Sequence, residues 1–99
     1  MDAGSSVRQR REIYFSGHVQ GVGFRYVTHR VARQYDVTGF VRNLRDSRVH
    51  LVVEGEAGEI DRFVDEVSSR MGSYIRSKHQ VSQAYSGEFG GFSIRFEGE

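Results

Sequence analysis

The chain of 99 residues has a mass of 11.3 kDa, contains neither cysteine nor proline, and carries a formal net charge of +1. This length suits one domain with a single hydrophobic core. The absence of cysteine excludes a disulfide framework, a thiolate zinc site and a cysteine nucleophile. It also favours a reducing compartment, which we take to be the cytoplasm. No apolar run approaches the roughly 20 residues that span a bilayer, so we expect no membrane partner.

The charge is unevenly distributed along the chain, with +5 in residues 1–45 and −4 in residues 46–99. A basic half can face an anion, although ordinary surface charge explains the same asymmetry. Residues 1–10 are polar and lack the apolar stretch of a signal peptide. We interpret them as a flexible tail, which leaves residues 11–97 as the folded domain.

The first half of the chain predicts a strand, a helix and a second strand. Apolar and polar residues alternate over residues 13–19, with the period of two that one buried sheet face requires. A one-sided apolar stripe at helical spacing follows, formed by Phe24, Val27, Thr28, Val31 and Tyr35. Residues 39–44 are a shorter strand, and residues 45–48 after them are typical of a hairpin turn.

The second half predicts further strands around a second helix. Residues 49–54 alternate again, and a second stripe at the same helical spacing is formed by Ile60, Phe63, Val64, Val67 and Met71. The connection over residues 72–78 has no clear pattern. A weak run at residues 80–85 precedes a last strand at residues 92–96, which predicts a hairpin-like end to the domain.

The order of elements, β-α-β-β-α-β, indicates an α+β sandwich of two layers. Both helices are expected on one face of an antiparallel sheet. The other sheet face is expected to be wet, because the strands alternate rather than being apolar throughout.

A glycine-rich segment joins the first strand to the first helix, with Gly17, Gly21 and Gly23 within seven residues. Glycine allows positive φ and close approach of the backbone to a ligand. A helix N-terminus favours an anion, and the guanidinium of Arg25 adds a group suited to phosphate. The pattern therefore predicts a phosphate-sized anion site, while a tight turn whose glycines serve packing explains it equally well. The spacing is neither that of a nucleotide-binding P-loop nor that of a dinucleotide-binding loop.

Three segments carry a resemblance to one family. Residues 17–25, Gly-His-Val-Gln-Gly-Val-Gly-Phe-Arg, resemble the signature of the acylphosphatases. Residues 39–43, Gly-Phe-Val-Arg-Asn, are similar to that family's Gly-aromatic-Val-x-Asn segment, and residues 89–94 resemble its Phe-x-Gly-Phe-x-Ile close. The resemblance covers the chain from about residue 12 to residue 96.

The resemblance implies a ferredoxin-like sandwich and hydrolysis of the carboxyl–phosphate anhydride of small acyl phosphates, giving a carboxylate and inorganic phosphate without metal or cofactor. It places Arg25 at the family's phosphate-binding arginine and Asn43 at its water-orienting asparagine. The phosphoryl oxygens would be held by the backbone N–H groups of Gln20, Gly21, Val22, Gly23, Phe24 and Arg25. We expect a monomer without a nucleic-acid partner.

The sequence departs from the family at the hairpin, where Arg45 and Ser47 stand in places that often hold proline and glycine. A non-catalytic module that binds an anion or an acyl phosphate with the same loop is the alternative function. An RNA-binding sheet would need aromatic residues on its exposed face, and residues 49–54 have none. The four histidines, at positions 18, 29, 50 and 79, lack ligand spacing and are expected at the surface.

Overall fold

The computed structural model of the chain describes residues 7–96. In chain order its elements are β1 (Arg8–Gly17), α1 (Phe24–Ala32), β2 (Val37–Asn43), β3 (Val49–Glu56), α2 (Ala57–Met71), a short 3₁₀ turn (Gly72–Tyr74), β4 (Ile75–Gln83) and β5 (Phe92–Arg95). Neither α1 nor α2, the helices of residues 7–96, has the length and apolar character that a membrane-spanning helix requires.

The five strands form one sheet in the order β4-β1-β3-β2-β5. Strands β4, β1, β3 and β2 pair antiparallel, and β5 pairs parallel with β2, so the whole sheet is mixed. This arrangement with two helices is the predicted ferredoxin-like α+β fold, to which the parallel strand β5 is added at one edge.

The hairpin-like end predicted for the domain is wrong, because β4 and β5 lie at opposite edges of the sheet. Four strand spacings separate them, roughly 19 Å. Residues 84–91 connect the two strands, and eight residues can span up to about 28 Å when extended. The connection is therefore long enough to cross the sheet, and the short-range alternation of residues 80–96 gave no sign of that crossing.

The hydrophobic core lies between the sheet and the two helices. From the sheet, Ile13, Phe15 and Leu51 are fully buried, and α2 contributes Phe63 and Val67. Both predicted helical stripes are confirmed as core-facing. The helix α1 ends at Ala32, and Tyr35 packs against the core from the following turn.

We had expected the opposite sheet face to be exposed to water, but its centre is buried. On β3 the residues that point away from the helices are buried, namely His50, Val52 and Glu54. The ring of Tyr14 stacks on His50 at 4.5 Å between centroids, and Phe89 from the crossing connection meets Phe40 at 5.8 Å. Aromatic side chains and the connection over residues 84–91 therefore cover this face, and His50 is not the surface histidine we predicted.

The N-terminal boundary also differs from the prediction. Residues 8–10, assigned to the tail, belong to β1 and pair with residues 54–56 of β3. Residues 1–6 of the expected tail and residue 97 at the expected end of the domain lie outside the described residues.

Candidate active site

The loop between β1 and α1 ends in a left-handed glycine. Gly23, the N-cap of α1, has φ 81° and ψ 17°, and Gly21 has φ 79°. Side chains other than glycine are strained in this region. The first bond of the helical ladder runs from the N–H of Val27 to the oxygen of Gly23, 3.0 Å away. The N–H groups of residues 23–26 therefore lie outside that ladder.

Helix α1 suits an anion at this end. It has no side-chain cap on its N-terminus and no acidic residue in its first turn. The dipole of the helix gives these unsatisfied N–H groups a partial positive charge. Together with the curved loop before them, they form a backbone site of the kind that holds phosphate groups.

A small cavity opens at this helix terminus, with a volume of about 150 Å³. It is lined by Val19, Gly21, Gly23, Phe24, Arg25, Tyr26 and Asn43. Arg25 comes from the first turn of α1 and Asn43 from the last position of β2. The fold thus brings together two side chains that are distant in the sequence.

The guanidinium of Arg25 is held from the C-terminal side of the domain. Its Nη1 donates to the carbonyl oxygen of Arg95 at 3.3 Å, and its Cζ lies 4.9 Å from the centroid of the Phe96 ring. The hydrogen bond and the cation–π contact limit the orientations of this partly buried side chain. One end of the guanidinium is thereby fixed while the side chain lines the cavity.

Asn43 is placed by the β2–β3 hairpin, and Gln20 ties that hairpin to the loop. In the sheet register Asn43 lies opposite Val49. The side-chain nitrogen of Gln20 donates to the carbonyl oxygens of Leu44 at 2.7 Å and Arg48 at 2.9 Å. These two bonds couple the position of Asn43 to that of the glycine-rich loop.

A larger cavity of about 480 Å³ adjoins the small one. It is lined by Gln20, Arg25, Asn43, Leu44, Arg45 and Phe96. Arg25 and Asn43 line both cavities and so stand at their boundary. Among residues 7–96, neither cavity has an aspartate or glutamate in its lining, so the charged side chains that face them are arginines.

The six predicted phosphate-binding residues do not all line the same cavity. Gly21, Gly23, Phe24 and Arg25 line the small cavity with Asn43, whereas Gln20 lines the larger one. Val22 lines neither, and its side chain packs against the core. The contribution expected from Val22 is its backbone N–H group. The packing of its side chain does not test that contribution, which stays a prediction.

Sequence reasoning missed four residues that line the cavities, Tyr26, Leu44, Arg45 and Phe96. Tyr26 directly follows Arg25, and Leu44 and Arg45 directly follow Asn43, so adjacency to the expected site residues was an available signal. Phe96 had none, because only the pairing of β5 with β2 brings it to the glycine-rich loop.

The fold and these cavities define a class of protein, a ferredoxin-like sandwich with a cavity at the uncapped N-terminus of its first helix. The family model described as Acylphosphatase matches residues 11–94. The chain belongs to the acylphosphatase family.

Individual relatives agree with this assignment. An acylphosphatase of Archaeoglobus fulgidus is 53% identical over 58 residues, which are 59% of this chain and 65% of that protein. An acylphosphatase of Acaryochloris marina is 39% identical over 79 residues, 80% of this chain and 85% of that one. The crystal structure of acylphosphatase from Bacillus subtilis superposes with a TM-score of 0.79 at 27% identity, covering 88% of this chain and 98% of that chain.

Proposed function

We propose that this chain hydrolyses the carboxyl–phosphate anhydride of acyl phosphates to a carboxylate and inorganic phosphate. The observation that carries the proposal is the convergence of Arg25, the N-terminus of α1 and Asn43 on one cavity of about 150 Å³. Membership of the acylphosphatase family supports the reaction and its substrate class.

Binding of the phosphoryl group is the first role of the site. Phosphoryl transfer spreads negative charge over three oxygens, and catalysis consists largely of neutralising and positioning them. We assign this role to the backbone N–H groups of residues 20–25 and to the guanidinium of Arg25, whose planar fork can bind two oxygens at once. These groups are fixed before substrate arrives, so little reorganisation is required as charge develops.

Alignment of the attacking water is the second role, which we assign to Asn43. A carboxamide can accept one hydrogen bond from water and donate another to a neighbouring oxygen. The water then attacks phosphorus on the side opposite the acyl oxygen. A new bond forms between phosphorus and the water oxygen, and the bond between phosphorus and the acyl oxygen breaks, with its electron pair leaving on the carboxylate.

The proton of the water needs an acceptor, and the uncharged carboxamide of Asn43 is a poor one. We assign this role to an oxygen of the substrate phosphate, which becomes inorganic phosphate. The departing carboxylate is a weak base and needs little help from an acid. The reaction is then balanced without a catalytic carboxylate, histidine, metal or cofactor.

All residues in these roles come from one chain, so we propose that a monomer is active, and size-exclusion chromatography with light scattering measures this. The cysteine-free composition supports action in a reducing compartment, for which we propose the cytoplasm. A tagged chain found in an oxidising compartment of its source cell would contradict that placement.

Hydrolysis of benzoyl phosphate, followed with and without a metal chelator, tests the activity. We expect turnover that the chelator does not change. Loss of turnover on chelation would contradict the metal-free route. Binding of inorganic phosphate by calorimetry without any turnover would favour the alternative of a non-catalytic anion-binding module.

A further inference from the structure

The ring of Tyr26 lines the small cavity at the helix terminus and is largely exposed. We propose that this ring contacts the acyl group of the substrate, so that a flat aromatic acyl group is preferred over a saturated one of the same size. This inference rests on the proposed function, because it assigns the acyl specificity of the same site.

Tyr26 is the most exposed large hydrophobic side chain of residues 7–96, with 63% of its surface accessible. Within that part of the chain its side chain has no hydrogen-bond partner, no ring contact and no cation beside it. Single exposed aromatic residues are common on protein surfaces, so exposure alone decides nothing. The position at a cavity does, because a ligand held there can bury the free ring.

The other residues that line the small cavity have no side chain free for an acyl group. Val19 and Phe24 are buried in the core. The proposed mechanism assigns Arg25 to the phosphoryl group and Asn43 to the attacking water. The rest of the lining consists of two glycines. Among residues 7–96, Tyr26 is therefore the lining side chain that is open to a group projecting from this cavity.

The direction of attack also places the acyl group near Tyr26. Water attacks phosphorus on the side opposite the acyl oxygen. Asn43, which is assigned to that water, comes from the end of β2, whereas Tyr26 comes from the first turn of α1. An acyl group that departs on the side away from β2 meets the wall formed by α1, where the ring of Tyr26 is exposed.

Phe96 is the other exposed aromatic residue at these cavities, and its ring is already engaged. The Cζ of Arg25 lies 4.9 Å from the centroid of that ring. Phe96 also lines the larger cavity together with Asn43 and Leu44, which is the side from which the proposed mechanism brings the water. We therefore assign the acyl contact to Tyr26 rather than to Phe96.

An aromatic acyl group gains more from this ring than a saturated one. Two aromatic rings attract each other beyond the burial of their area, because the negative face of one meets the positive edge of the other. A saturated ring of the same size lacks that charge distribution. The contact is present in the bound substrate as well as in the transition state, so it acts mainly on KM.

Benzoyl phosphate and cyclohexanecarbonyl phosphate test the inference, since both carry a ring of the same number of carbon atoms and one ring is aromatic. The ratio of their kcat/KM values, after subtraction of spontaneous hydrolysis, is measured for the wild type, Tyr26→Leu, Tyr26→Phe and Tyr85→Leu. Comparing this ratio between proteins cancels the difference in intrinsic reactivity of the two substrates. Tyr85 is an exposed tyrosine between β4 and β5 that lines neither cavity, and it serves as the matched control.

We expect Tyr26→Leu to lower the ratio of benzoyl to cyclohexanecarbonyl phosphate about threefold, mainly through a higher KM for benzoyl phosphate. Tyr26→Phe should keep the wild-type ratio because the ring is retained, and Tyr85→Leu should keep it because the change is remote. The inhibition constant of inorganic phosphate should be the same in all four proteins, since phosphate has no acyl group.

Several results would overturn the inference. These are an unchanged ratio in Tyr26→Leu, an equal loss for both substrates, or the same fall in Tyr85→Leu. A fall in Tyr26→Phe would assign the effect to the hydroxyl group, and a raised inhibition constant in Tyr26→Leu would place the side chain at the phosphoryl group. In all of these results acyl phosphates are still hydrolysed, so the proposed function stands. If the wild type hydrolyses neither substrate, the proposed function fails and this inference fails with it.

Discussion

Arg42 donates a hydrogen bond from Nε to Nδ1 of His50, 3.0 Å away, across the pairing of β2 with β3. Since the arginine can only donate, Nδ1 is the acceptor and carries no proton. The other ring nitrogen, Nε2, lies 3.0 Å from Oε1 of Glu12 and therefore donates to it. His50 is thus a neutral imidazole held in one tautomer, on the strand beside the one that ends at Asn43.

This arrangement predicts a loss of stability in mildly acidic solution. Burial lowers the pKa of His50 below its ordinary value of 6.5, and the charges of Arg42 and Arg48 act in the same direction, against Glu12. The unfolded chain therefore binds a proton at His50 at higher pH than the folded chain. The contribution of neutral His50 to the free energy of unfolding is present in full above about pH 6.5. It is lost as the pH falls from that value toward the lowered pKa, because protons bind more readily to the unfolded state.

The variant His50→Gln tests this, because a carboxamide can both accept and donate but does not titrate in this range. Urea unfolding at about pH 8 and about pH 5.5 should show a smaller decrease in the free energy of unfolding for His50→Gln than for the wild type. His79→Gln, at an exposed position of β4, is the control and should behave as the wild type. An equal pH dependence in all three proteins would contradict the prediction.

Glu54 anchors the connection that crosses the sheet, and its neutralisation should destabilise the fold. Its buried carboxylate accepts bonds from the N–H and hydroxyl of Ser86 at 3.0 and 2.7 Å and from the N–H of Gly87 at 2.9 Å. Burial alone would raise the pKa of Glu54, but these bonds and the charge of Arg10 outweigh it and lower the pKa below 4.5. In Glu54→Gln one accepting oxygen of the carboxylate is replaced by an NH₂ group. That group can only donate, and it would face the donors of Ser86 and Gly87.

We expect Glu54→Gln to lower the free energy of unfolding by about 2–4 kcal/mol. Urea unfolding at neutral pH measures this, and Asp65→Asn on the exposed face of α2 is the matched change. The contribution of Glu54 is present above about pH 4.5 and is lost as the pH falls through its lowered pKa. The free energies of unfolding of the wild type and Glu54→Gln should therefore become similar in acid. Equal stability of both variants at neutral pH would remove the anchoring role of Glu54.

The parts of the fold that could be predicted from the sequence are those with local patterns of apolar residues. The stripes from Phe24 to Tyr35 and from Ile60 to Met71 identified both helices, because helical spacing reflects burial directly. His50 and Glu54 looked like the wet positions of an alternating strand, and nothing local showed that residues 84–91 would cover them. The cavity wall at Phe96 likewise depends on the pairing of β5 with β2, two segments distant in the sequence, which alternation does not encode.

Gln20 connects the glycine-rich loop to the hairpin, and its replacement by glutamate should weaken anion binding. A carboxylate cannot donate to the carbonyl oxygens of Leu44 and Arg48, and it adds a negative charge to the larger cavity. We expect Gln20→Glu to raise both the KM for benzoyl phosphate and the inhibition constant of inorganic phosphate by roughly tenfold. Steady-state kinetics with phosphate as inhibitor measure both values.

Gln34→Glu makes the same chemical change at an exposed position after α1 and should leave both constants unchanged. Amide hydrogen exchange at Ser47 gives a second reading, since loss of the bond from Gln20 should speed exchange in the turn. Constants in Gln20→Glu that match those of Gln34→Glu would show that this coupling has no part in anion binding.

The division of roles between Arg25 and Asn43 predicts opposite kinetic signatures for their removal. Asn43→Ala should lower kcat by about 10²–10³-fold, the scale of one well-placed polar contact in the transition state. Its inhibition constant for inorganic phosphate should be unchanged, because the proposed mechanism assigns phosphate binding to Arg25 and the backbone. Arg25→Ala should raise that inhibition constant and lower kcat/KM together, and Arg25→Lys should recover little, since an ammonium lacks the planar fork. Full kcat in Asn43→Ala, or phosphate binding unaltered in Arg25→Ala, would show that the corresponding role is assigned to the wrong side chain.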